Sequence, residues 1–172
     1  MWGLSLNRVK DGWNRLPFRF SFTETMSGEH KFSKGKKAAN GPQAFSFTLT
    51  ATADPLTAAI DWSRAALIFT AHGNVQAEGI NQESRLAGTL EIDLFSSHEI
   101  RYQFEFRGAD RQTYCFSGKK NVSFWSPWKS MTTLYGEISR KKTGAVVSTA
   151  LVNFPASQLA PFILSARLAL SR

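Results

Sequence analysis

The sequence FRFSFTETM, residues 18–26, decides the fold class of this chain. Phe18, Phe20, Phe22, Glu24 and Met26 share one parity, whereas arginine, serine and threonine occupy the positions between them. Side chains of a β-strand point alternately to its two faces, so this period of two predicts a half-buried strand. The strand's polar face is suited to water and its other face to a phenylalanine-rich core.

The same alternation recurs as far as residue 153. It predicts further strands at about 44–52, 65–71, 74–81, 85–95, 99–107, 112–117, 119–124, 131–139 and 144–153. About ten short strands with turns at short intervals are typical of a sandwich or a barrel. Because closure removes exposed strand edges, we predict a mainly β fold: a single antiparallel β-barrel, closed or nearly closed and lipocalin-like.

Both ends of the chain show helical spacing instead. Trp2, Leu6, Val9 and Trp13 lie on one helix face, and a similar spacing of apolar residues follows Pro155. A chain of 172 residues predicts one domain, with a helix at 1–16, the barrel at 17–154 and a helix at 155–172. The N-terminal helix is basic and amphipathic, so it can contact a membrane surface or pack on the sheet.

Charge and composition narrow the range of partners. The chain has 21 lysines and arginines against 13 aspartates and glutamates, a balance that suits either an anionic partner or an ordinary solvated surface. The phenylalanines alternate away from the basic residues, so no nucleic-acid partner is expected. Cys115 is the one cysteine. It cannot form an intrachain disulfide, which predicts a cytoplasmic protein.

The sequence contains no recognisable catalytic, cofactor-binding or metal-binding motif. It contains no glycine-rich dinucleotide loop and no P-loop, and its three histidines have no cysteine or carboxylate at metal-ligand spacing. We therefore predict no cofactor, no metal and no catalytic motif.

Glu24 is the most informative polar residue, because it shares the parity of the phenylalanines. A carboxylate that faces a core must be paired or protonated. Its candidate partners are Arg64, Tyr102, Lys119, Lys120 and Tyr135. The residue is either a polar anchor in a binding cavity or one half of a structural ion pair.

A ligand-binding interior would be lined by apolar side chains from four strands. The predicted lining consists of Phe20, Phe22, Phe45, Phe47, Leu90, Ile92, Tyr102 and Phe104. Glu24, Lys119 and Tyr135 are added as polar site residues, and Trp125 and Trp128 from the segment FWSPWK, 124–129. The two tryptophans suit a lid over a hydrophobic ligand, an anchor for a protein partner, or a loop folded over its own core.

Four segments carry a family resemblance: FTETMSG at 22–28, HEIRYQF at 98–104, YCFSGKK at 114–120 and WKSMTTLY at 128–135. Together they resemble a β-rich accessory region associated with proteins that contain a GMC-type, cholesterol-oxidase-like flavin oxidoreductase domain, sometimes with an α/β-hydrolase domain. The resemblance spans about residues 20 to 165. It departs at Ser130 and Met131, where the pattern has aspartate and threonine. It implies a context of lipid or sterol chemistry, with a flavin oxidoreductase or hydrolase as partner.

These observations lead to three functional hypotheses. The first is an accessory domain that binds a hydrophobic, lipid- or sterol-like small molecule. The second is a protein-interaction module that uses the Trp125/Trp128 loop and the basic surface. The third is a small barrel enzyme in which Glu24 acts as acid or base.

Overall fold

The computed structural model describes residues 18–34, 41–61, 63, 66–93, 95–122, 132–155, 157 and 164–170. Within them lie ten strands and one short 3-10 helix. The strands are β1 (Phe18–Phe32), β2 (Gln43–Ala53), β3 (Ile60–Asp61), β4 (Ala66–Ala77), β5 (Asn81–Asp93), β6 (Glu99–Arg107), β7 (Thr113–Asn121), β8 (Thr133–Arg140), β9 (Val146–Asn153) and β10 (Arg167–Leu170). The 3-10 helix spans Leu56–Ala59.

The strands form one closed antiparallel barrel, as the alternation predicted. The order β1-β2-β4-β5-β6-β7-β8-β9 follows the chain, and β9 pairs back onto β1. Paired residues followed around the barrel from Phe22 return to β1 at Phe32 rather than at Phe22. Such a stagger goes together with the tilt of the strands that closure of a barrel requires.

Glycines on inward-facing positions allow neighbouring strands to approach closely. A Cβ at Gly28 would overlap the backbone of Leu151, and one at Gly88 would overlap the backbone of Gln103. Glycine kinks of this kind let a strand coil sharply around a barrel. For this reason β1 continues through Gly28 to Phe32, beyond the alternating residues 18–26 that predict the strand.

The C-terminal helix predicted for 155–172 is wrong over Arg167–Leu170. These residues form β10, which pairs with Phe18–Ser21 of β1. Strand β9 covers only Ser27–Phe32 on that side of β1, so β10 satisfies backbone groups of an edge that would otherwise be exposed. The helix predicted for 1–16 lies outside the described residues.

The two ends of the barrel differ. At the turn end, the tight turns at 78–80, 108–112 and 141–145 connect strands, and six aromatic rings fill the interior nearby: Phe45, Phe47, Phe104, Phe106, Tyr114 and Phe116. Neighbouring ring centroids in this group are 4.8–6.3 Å apart. The opposite end, where β2, β5, β7 and β9 finish, is called the rim end below.

Candidate functional site

A buried polar cluster of Glu24, Tyr102 and Lys120 lies inside the barrel toward the rim end. Strands β1, β6 and β7 each contribute one member from an inward-facing position. Lys120 Nζ lies 2.5 Å from Glu24 Oε1, and the Tyr102 hydroxyl donates to Glu24 Oε2 at 2.6 Å. The three residues are 6%, 2% and 3% exposed for Glu24, Tyr102 and Lys120, respectively. The prediction that Glu24 points inward onto a basic or hydroxyl partner is therefore confirmed, with one partner of each kind.

Electrostatics hold Tyr102 in its protonated form. Burial raises its pKa well above the ordinary value, and the adjacent negative charge of Glu24 raises it further. The phenol therefore acts as a hydrogen-bond donor to the carboxylate. The Lys120 ammonium also lies 5.0 Å from the centre of the Tyr102 ring, within the range of a cation–π contact.

The hydrogen-bonding capacity of Lys120 is only partly used. An ammonium group carries three N–H donors and no acceptor. Among the described residues, Glu24 is the one hydrogen-bond acceptor that contacts it. The described residues therefore leave two donors of a side chain that is 3% exposed for a further acceptor.

Half-buried apolar side chains surround the barrel at the rim end. This rim consists of Phe20, Leu56, Leu67, Ile92, Val122 and Phe154, all packed against the core. The ring of the rim residue Phe20 is 5.9 Å from that of Phe22 and 6.2 Å from that of Phe69, both of which are buried. The polar cluster thus lies beneath an apolar, partly exposed surface.

Further apolar side chains are exposed at the same end. Phe95 follows β5 and is 79% exposed, and Leu164 and Leu168, near β10, are 78% and 64% exposed. Large apolar side chains gathered on one side of a protein mark a surface for a ligand, a membrane or a protein partner.

Six of the eight predicted lining residues are buried inside the barrel: Phe22, Phe45, Phe47, Leu90, Tyr102 and Phe104. The other two, Phe20 and Ile92, are half-buried members of the rim. Of these residues, Phe45, Phe47 and Phe104 pack into the aromatic core of the turn end, whereas Phe20, Phe22, Leu90, Ile92 and Tyr102 lie nearer the rim end.

Lys119 and Tyr135, two of the five candidate partners of Glu24, do not contact it, and a third candidate, Arg64, lies outside the described residues. The first two are directly paired on the outer face of β7 and β8, where the Lys119 side chain is 57% exposed and Tyr135 is 63% exposed. The inward lysine is Lys120, which shares the parity of Tyr114 and Phe116. The sequence analysis divided β7 at Gly118, so the parity was not carried across that glycine and both Lys119 and Lys120 stayed candidate partners of Glu24.

The two misplaced residues lie on a shallow groove of about 770 Å³ on the outer wall. Three of its charged side chains are paired with one another, because Glu99 accepts hydrogen bonds from Lys119 at 2.9 Å and from Arg101 at 2.9 Å. Both bonds lower the pKa of Glu99, and Lys119 has the larger effect. A second surface hollow of about 630 Å³ lies at the turn end, between Ala44 and Asn81.

His30 is a further buried polar residue, 1% exposed. It belongs to β1, where Nε2 lies 2.9 Å from the carbonyl oxygen of Glu78 and Nδ1 lies 3.0 Å from the Ser148 hydroxyl. A carbonyl only accepts, so Nε2 carries the proton and Nδ1 accepts from Ser148. Burial lowers the pKa of His30, so the ring is held neutral.

Trp125 and Trp128 lie outside the described residues. Within the described part of the chain, histidine, cysteine, aspartate and glutamate form no group of three that could hold a metal ion. None of the helices described there is long and apolar enough to cross a membrane.

Comparisons with protein-family models, with curated proteins and with solved structures found no match to this chain.

Proposed function

We propose that the barrel binds an apolar small molecule at its rim end, with the Glu24–Tyr102–Lys120 cluster as the polar anchor. The observation that carries this proposal is a buried ammonium, with donors that the described residues leave unused, at the end of the barrel that carries the apolar, partly exposed rim. Ligand sites in barrels commonly occupy the mouth and combine an apolar lining with a few polar groups. This mode of binding is the one expected of a lipocalin-like barrel.

The position of the cluster argues against a purely structural role. Burying two charges costs several kcal/mol per ion, and a buried ion pair is often no more stable than apolar residues of the same volume. Lys120 also has two donors that the described residues leave unused. A ligand oxygen that accepts from them would offset part of the cost of burying the ammonium.

The distribution of packing supports the rim end as the site. Aromatic rings occupy the interior toward the turn end at van der Waals spacing, which leaves the cluster and the rim as the part of the barrel suited to a ligand. The resemblance to regions that accompany GMC-type oxidoreductases and α/β-hydrolases suggests that this ligand is lipid- or sterol-like. We include in the proposal that the domain serves such an enzyme, in the cytoplasm.

The test is a titration with Nile red, an uncharged fluorescent probe for apolar sites. Saturable binding to the wild type supports the proposal, and the variant Ile92→Lys should weaken it because the substitution places a charge in the rim. Val147→Lys is the matched control, since Val147 is also half-buried and packed on the core but lies near the turn end. Saturable binding that falls equally in both variants, or no saturable binding, would contradict the site.

A second candidate, a protein-interaction module, is favoured by the exposure of Phe95, Leu164 and Leu168. Exposed apolar side chains of this size are typical anchors of a protein interface. The variant Phe95→Ser tests the second candidate by itself, because it leaves the rim and the cluster intact. Nile red binding to this variant should be preserved if the small-molecule proposal holds. If the variant also loses a protein partner that the wild type retains in a pull-down, the exposed apolar residues form a separate interaction surface.

A further inference from the structure

We infer that the polar end of the ligand is an uncharged oxygen function, a hydroxyl or a carbonyl, and not a carboxylate. This inference rests on the proposed function and specifies the ligand of the same site. It follows from the charge and the hydrogen-bonding pattern of the buried cluster.

The charge of the cluster is already balanced. Lys120 contributes one positive charge and Glu24 one negative charge at 2.5 Å, and the Tyr102 phenol stays neutral. The remaining buried carboxylate among the described residues is Asp93, 2% exposed at the rim end. Its hydrogen bonds from Ser96 and Ser97, at 2.8 and 3.0 Å, favour the ionised form. A ligand carboxylate would therefore add a negative charge to a cluster whose one ammonium, among the described residues, is already paired with Glu24.

The donors and acceptors match a neutral oxygen. A ligand carbonyl can accept from the unused N–H groups of Lys120. A ligand hydroxyl can do the same and can also donate to Glu24, since each carboxylate oxygen has a second lone pair and accepts one bond from within the cluster. Either function satisfies the buried donors without displacing the Lys120–Glu24 pair.

Two matched competitors test the inference: dodecan-1-ol and dodecanoate, each used to displace Nile red at pH 8. The readout is the ratio of their dissociation constants, compared between variants so that the different water solubilities of the competitors cancel. Glu24→Gln leaves the Lys120 charge unbalanced, so the ratio should move toward dodecanoate by about tenfold or more, the size of one charge-assisted hydrogen bond. Glu105→Gln is the control, because Glu105 pairs with Lys141 on the outer face and its loss should leave the ratio unchanged.

A second variant keeps the test decisive if Glu24→Gln fails to fold. The triple substitution Glu24→Leu, Lys120→Met, Tyr102→Phe replaces the cluster with apolar residues of similar size. Protein cores often tolerate such a replacement. The triple variant should retain Nile red binding and lose about tenfold or more in affinity for dodecan-1-ol.

The outcomes separate the two proposals. No saturable Nile red binding to the wild type would refute the proposed function. Saturable binding with an unchanged competitor ratio in Glu24→Gln, or with unchanged dodecan-1-ol affinity in the triple variant, would overturn the inference and leave the proposed function standing.

Discussion

Removal of the Lys120 charge should strongly destabilise the protein. In Lys120→Met the Glu24 carboxylate would remain buried, 6% exposed, with Tyr102 as its hydrogen-bond donor and no countercharge in contact. Breaking a buried ion pair by removing one partner costs about 3–5 kcal/mol in the free energy of unfolding. For a chain of this size each kcal/mol shifts the melting temperature by about 2–4 °C, so a decrease of roughly 6–20 °C is expected.

A double-mutant cycle measures the coupling. Urea unfolding of the wild type, Lys120→Met, Glu24→Gln and the double variant gives four free energies of unfolding, and the double variant should lose much less than the sum of the single losses. Lys141→Met is the control, since it breaks an exposed ion pair with Glu105 and should leave the unfolding midpoint nearly unchanged. Additive losses in the cycle, or a Lys120→Met protein as stable as the control, would refute the assignment of a buried, mutually dependent pair.

Three further predictions concern other features of the barrel. Tyr102→Phe removes the donor to a buried carboxylate oxygen and should cost about 1–3 kcal/mol in urea unfolding; no measurable loss would show that this hydrogen bond is not formed. Burial lowers the pKa of His30 below its ordinary value of 6.5, so the unfolded chain binds more protons and stability should fall as the pH drops below that value. The measurement is the melting temperature as a function of pH. His30→Gln should flatten its fall at low pH, whereas His72→Gln, on the outer face, should preserve that fall. Gly88→Ala should greatly destabilise the fold because its Cβ would overlap the backbone of β6, whereas Thr89→Ala, one residue on and facing outward, should have little effect; similar melting temperatures would contradict the close approach.

Strand alternation is readable from sequence because it depends on local geometry alone. Side chains on a strand alternate between its faces, so FRFSFTETM already places Glu24 among the phenylalanines of the inner face. The cost of burying an unpaired carboxylate then requires a basic or hydroxyl partner. Both inferences depend on neighbouring residues and general energetics, and the structure agrees with both.

The identity of the partners of Glu24 depends on contacts between residues that are far apart in the chain. Glu24 is 78 residues from Tyr102 and 96 residues from Lys120. The choice of Lys120 over Lys119 required the parity of β7 to be followed through Gly118. A shift of one residue exchanges the inner and outer faces of a strand, and the candidate partners Lys119 and Tyr135 lie on the outer face.

The chain by itself determined the antiparallel barrel and the need to neutralise Glu24, because alternation and desolvation act on every residue wherever it lies. Only the tertiary structure decided that Arg167–Leu170 is a strand and that Lys120 and Tyr102 are the partners of Glu24. Helical spacing in the last residues was overridden because β9 leaves the first part of β1 without a partner on that side. The stagger of the closed barrel, which no local pattern encodes, determines which side chains from distant strands meet in its interior.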